Sequence, residues 1–159
     1  DAPRKKTRWW LAAAAAAEGL TYAVDKMRRQ PNTLDCHRLI LWAQSTGKAA
    51  AMKQRLMDLY FTHGADLSDR EVLVGAAADV GMDPDRTRQM LQSGADVDKV
   101  ESAANSAKDA GIDGVPTFIL GGVAAVTGAQ SPEVLANAIE QVAVNREQFL
   151  AEQRKAARA

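Results

Sequence analysis

The chain has 159 residues, and its 20 basic and 20 acidic side chains give a formal net charge of zero. That length suits one ordinary domain, and the balance argues against a dedicated nucleic-acid binder, which draws its affinity from a basic excess. A single cysteine, Cys36, excludes an intramolecular disulfide and a cysteine-based zinc site, and with only His37 and His63 beside it no metal site is expected.

Hydrophobic residues make up 47% and aromatics only 5%, while alanine is abundant, which favours close-packed helices. Basic residues gather at Arg4, Lys5, Lys6 and Arg8 and again at Lys26, Arg28 and Arg29. These read as a solvated face in preference to a polyanion contact. The longest apolar run, Trp9 to Ala17, is nine residues, far short of the ~20 that cross a bilayer. With the basic cluster before it, the run imitates a leader peptide, but its alanine content and its stop at Glu18-Gly19 read as a folded helix. No membrane partner is expected, and the expected location is the cytoplasm.

Helices are expected over about 8–18, 33–46, 48–63, 69–80, 84–92, 96–110 and 132–157. Gly19, Gly47, Gly64, Gly81 and Gly111 each follow such a stretch as its stop. Starts are signalled by Asn32, by Ser68-Asp69-Arg70-Glu71 with capping-box spacing, and by Asp83-Pro84 and Ser131-Pro132. Met52, Leu56, Leu59 and Tyr60 form one apolar helical face, and Val72, Leu73, Ala76, Ala77 and Val80 another.

One region reads as strand. Thr117 to Leu120 and Val123 to Thr127 flank Gly121-Gly122, a hairpin signature because both central residues of a type I′ turn need positive φ. A lone two-stranded hairpin is marginal in water, and the continuous apolar run at 118–120 suits a strand covered on both faces. Helices alone must cover it, or strands must come from residues outside this sequence or from a second subunit in a homodimer.

Before that hairpin stands Gly111-Ile112-Asp113-Gly114-Val115-Pro116-Thr117-Phe118. Proline lacks an N–H and is tolerated at the first residue of a strand. Residue pattern alone leaves two readings: a strand-edge proline, or a cis Val115–Pro116 bond that frees the Val115 backbone for an extended substrate.

Gly114-Val115-Pro116-Thr117-Phe118, the Gly-Gly hairpin, and Gly128-Ala129-Gln130-Ser131-Pro132-Glu133 before a long helix resemble the C-terminal half of a thioredoxin-like domain. More narrowly, they resemble the FrnE-type members of the DsbA-like oxidoreductases. Pro31-Asn32-Thr33-Leu34-Asp35-Cys36-His37-Arg38-Leu39-Ile40 resembles the start of that family's inserted helical domain, and Tyr60-Phe61 and Asp69 to Leu73 also match its pattern.

The resemblance implies an α+β, predominantly helical fold: a helical insertion over 1–110, then the ββα part of a thioredoxin-like domain over 111–159. It implies thiol–disulfide oxidoreductase or disulfide isomerase chemistry on a protein, peptide or small-thiol substrate, without a cofactor. It makes the Val115–Pro116 bond cis and Val115, Pro116, Thr117, Gly128, Ala129, Gln130 and His37 substrate-binding residues. The family's β-α-β unit with its Cys-x-x-Cys is not among these residues, and Cys36 falls in the insertion. Thiol–disulfide exchange needs an attacking thiolate and a resolving thiol, so the chain as it stands carries no catalytic pair.

Cys36 reads as a core thiol, with a redox-active thiol as the alternative. His37 reads as a packing residue ahead of a substrate contact, and His63 as a helix C-terminal residue. Two other classes of function compete: a glutathione-dependent isomerase or transferase, with the 128–130 loop near glutathione, and a non-catalytic helical binding protein.

Overall fold

In a computed structural model, residues 2–112 and 114–156 are described. Asp113, in the loop before the hairpin, lies outside them, as do residue 157 of the expected last helix and the side chains of residues 2–8, 152, 153 and 156. Two compact units divide the chain, Asp1–Ser102 and Ala103–Ala159. The fold is α+β and mostly helical.

The first unit holds α1 (Ala2–Ala17), α2 (Leu34–Gln44), α3 (Ala49–Met57), α4 (Arg70–Asp79) and α5 (Pro84–Gln92), and α6 (Val97–Asp109) begins in it. Its core forms where α2, α3, α4 and α5 pack on one another. From α2 come Cys36, Leu39 and Ala43, spaced for one helical face. Met52 and Leu56 enter from α3 and Leu91 from α5. On α4, Leu73, Ala76 and Ala77 are buried while Val72, and Val80 just after the helix, are half-buried against the core; Val74, not among the expected positions, is buried too. Two adjacent alanines at about zero exposure give that helix a smooth face on which larger neighbours close.

Gly19, Gly47, Gly64, Gly81 and Gly111 all take positive φ. After α1, Gly19 N–H donates to Ala16 C=O and Leu20 N–H to Ala15 C=O. That paired pattern is the Schellman motif, which satisfies carbonyls the helix leaves open. Gly64 is required for a further reason: a Cβ there would overlap the Lys26 side chain and stand 3.0 Å from the Lys26 carbonyl carbon.

Several local expectations shift, beginning with the first helix, which starts at Ala2 and not near residue 8. The 48–63 stretch is not one α-helix, because α3 gives way at Asp58 to a π-helical turn, Asp58–Thr62, in which the His63 N–H reaches back five residues to Asp58 C=O. The capping box at Ser68 does not form. Asp66 takes the Ser68 N–H at 2.9 Å, and the Asp69 carboxylate caps α4 by accepting the Glu71 N–H at 2.9 Å. The ionised acceptor one residue on is the better cap, so the helix starts one residue later. Asn32 likewise accepts the Leu34 N–H at 3.0 Å, one turn position outside the helix it was expected to open. Asp83 and Ser131 cap as expected, accepting the N–H groups of Arg86 and Val134.

The second unit holds the rest of α6, β1 (Thr117–Leu120), β2 (Ala124–Thr127) and α7 (Pro132–Ala156). The strands pair antiparallel with Phe118 opposite Val126 and Leu120 opposite Ala124. Gly121 and Gly122 take φ of 57° and 73°, as a type I′ turn demands. Val123 joins the connection instead of the strand, making the loop three residues long, with its N–H donating to Leu120 C=O. α7 packs on both strands and buries Val142 beside Gly121. That single helix leaves Phe118 37% and Ile119 63% exposed. Among the described residues, no third strand joins the hairpin.

Candidate functional site

Two loops meet at the base of the hairpin. Pro116 ends the first, and Gly128 to Gln130 form the second, between β2 and α7. The Gly128 N–H donates to Pro116 C=O at 2.8 Å and ties them together. On one side the Thr117 hydroxyl donates to Gly114 C=O at 2.7 Å. On the other, the Gln130 side-chain amide donates to Thr127 C=O at 2.9 Å and its backbone N–H donates to Gly128 C=O. Thr117 and Gln130 thus spend their polar groups on shaping the loops. The Val115–Pro116 bond is cis. Val115 is 90% exposed, and no described residue hydrogen-bonds to its backbone. So Val115, Pro116, Thr117, Gly128, Ala129 and Gln130, six positions from two stretches of sequence, share one end of the sheet.

Cys36 and His37 lie in the helical unit, at the start of α2. Cys36 is 5% exposed. Burial pushes its thiol up to about 11, and the negative charge of Asp35 acts in the same direction. A reactive cysteine needs the opposite environment, exposed and electropositive; Cys36 has that of a packing residue. Alkylation of the native chain by iodoacetamide is expected to be slow at pH 7 and to rise only above about pH 9, whereas unfolded chain should react at once. Because the folded-state value is raised, the thiol's contribution to stability is complete below about pH 9 and is lost as pH climbs toward about 11. Fast labelling of native chain at pH 7 would show an open thiol.

His37, the next residue, faces solvent. It sits on the rim of a groove of about 520 Å³ between α2, α3 and the π-helical turn. His63 closes that turn, its ring Nδ1–H donating to Asp58 C=O at 2.9 Å.

Arg38 carries more of the structure than its place in a motif suggested. It is 1% exposed. Its guanidinium donates to Ala95 C=O at 2.7 Å, Met90 C=O at 2.6 Å and Leu91 C=O at 3.4 Å, and pairs with Asp35 at 2.6 Å. It also stacks on the Trp42 ring at 4.9 Å. Met90 and Leu91 are in the last turn of α5, where carbonyls lack helical partners and the dipole favours a cation. Trp42 itself donates to Asp96 at 2.8 Å. Burial of an arginine leaves no periodicity to read; only the number of contacts reveals it.

Residues 8–140 match the family described as DSBA-like thioredoxin domain. The chain belongs to this family. Within the DsbA-like family it is similar to the crystal structure of a probable DsbA oxidoreductase from Streptomyces coelicolor, at 33% sequence identity and a TM-score of 0.74. The match covers 86% of this chain and 58% of that one, so the chain spans little more than half the length of that DsbA-like protein. No curated protein matches it. The two-stranded sheet with its covering helix and the large helical unit are thus the DsbA-like thioredoxin fold with its helical insertion. No described helix is long and apolar enough to cross a membrane.

Proposed function

We propose that this chain is the substrate-holding part of a thiol–disulfide oxidoreductase of the FrnE type. The observation that carries the reading is the pair of loops joined by the Gly128–Pro116 hydrogen bond, with Val115 90% exposed and its backbone N–H and C=O without a described hydrogen-bond partner. An extended polypeptide can pair with the free N–H and C=O of Val115 as a strand pairs at a sheet edge. Thr117 and Gln130 hold the loops in shape, so little ordering is needed when the polypeptide arrives. The electron-transferring sulfurs of such an enzyme must come from a Cys-x-x-Cys outside these 159 residues, because Cys36 is single and buried.

The test is a titration of isotopically labelled chain with an unfolded, carboxymethylated polypeptide, read by amide chemical shifts. Shifts are expected at Val115, Thr117 and Gly128 to Gln130. Shifts confined to the helical unit would overturn the assignment of these loops.

A further inference from the structure

The groove beside His37 has a one-sided chemistry. Its walls are apolar: Ile40 from α2, Leu56 and Met57 from α3, and Tyr60 and Phe61 from the π-helical turn. Met57 and Phe61 remain 43% and 38% exposed. Tyr60 and Phe61, both in the π-helical turn, meet edge to face at 5.0 Å. Such turns recur at ligand sites. A volume of about 520 Å³ falls within the roughly 300–1,000 Å³ of small-molecule pockets.

The charges that line this groove are not balanced. Among the described residues no acidic side chain lines it, whereas Lys53 does. On α3 the positions three and four residues from Lys53 are Ala49, Ala50, Leu56 and Met57, so its helix offers it no carboxylate. Nor does Lys53 pair with any other described residue. The His37 imidazole is a second nitrogen donor on the same rim. Arg38, Arg55 and Arg88, by contrast, each hold an acidic partner.

We propose that this groove binds a small amphipathic carboxylate, its apolar body against Met57 and Phe61 and its carboxylate on Lys53. The proposal does not rest on the redox reading above. The probe is decanoate, below its micelle concentration and at low ionic strength, titrated into the full chain carrying ¹³C-methyl methionine. Decanol and decyltrimethylammonium serve as neutral and cationic bodies of the same length. Decanoate is expected to saturate and to shift the Met57 methyl, leaving Met82 and Met90, which line a different cavity, unmoved. Lys53→Met is expected to weaken decanoate about threefold or more without changing decanol, and Lys53→Arg to restore it. The proposal is overturned by a lack of saturation, by shifts at Met82 or Met90 instead of Met57, or by Lys53→Met leaving decanoate unchanged. Decanol or the cation binding as tightly as decanoate would overturn it too, assigning the groove to a purely apolar partner such as a peptide segment.

Discussion

Arg38→Ala should unfold most of the helical unit at temperatures where the parent chain is intact. The substitution removes a guanidinium that is 1% exposed and takes a donor from the carbonyls of Met90, Leu91 and Ala95, of which Met90 keeps the Ser93 hydroxyl at 3.1 Å. It leaves Asp35 with Arg70 alone, at 3.4 Å and half in solvent, and it opens a void beside Trp42. Breaking a buried charge pair costs about 3–5 kcal/mol, and each buried acceptor left unmatched adds about 1–3 kcal/mol. Against a total stability of about 5–15 kcal/mol, that is most of the margin, and the melting temperature should fall by roughly 15 °C or more. Arg38→Lys should recover little, because a point ammonium cannot reach three divergent carbonyls. Arg70→Ala, at an exposed site, should cost less than about 1 kcal/mol. A chemical-denaturation midpoint for Arg38→Ala close to that of Arg70→Ala would show that the guanidinium is not the latch described.

In a reduction assay with insulin and dithiothreitol, adding this chain should leave the lag before precipitation unchanged. Exchange proceeds through a mixed disulfide that a second thiol must resolve, and Cys36 is the one sulfhydryl in the sequence. With its thiol at about 11, on the order of one molecule in ten thousand carries the thiolate at pH 7. Burial then hides even that fraction from a protein disulfide. Cys36→Ser should therefore match the parent chain. Acceleration by purified chain that disappears in Cys36→Ser would mean that Cys36 opens to substrate and would remove the burial argument with it.

Much of the architecture was readable because its signals are local. Gly19, Gly47, Gly81 and Gly111 mark helix ends through a conformation that other residues resist, so no tertiary knowledge is needed to place them. Gly121-Gly122 marks the hairpin for the same reason. Where two local signals compete, sequence reading stumbles: Ser68 and Asp69 both offer an N-cap, and only the geometry shows that Asp66 has already claimed the Ser68 N–H. The π turn at Asp58–Thr62 leaves no periodic trace, since one extra residue in the ladder looks like ordinary helix over so short a span. The residues at the hairpin's base were readable as a motif, yet the hydrogen bond that joins Pro116 to Gly128 spans 12 positions and could come only from the fold. Arg38 lay within a recognised motif, but its partners are backbone carbonyls more than 50 residues away, which no side-chain pattern records.

That last choice of partners has a consequence for how this region tolerates change. Because Arg38 binds the main chain of Met90, Leu91 and Ala95, the latch is indifferent to which side chains those positions carry. Conservative replacements at Met90 or Ala95 alter local packing but keep every acceptor in place. A deletion of one residue between them does the reverse: it preserves composition almost entirely while moving the carbonyls out of the guanidinium's reach. Between α5 and α6, replacements at Met90 and Ala95 should thus be tolerated far better than a change in length, while Leu91 stays fixed by the core and Asp96 by its bond to Trp42.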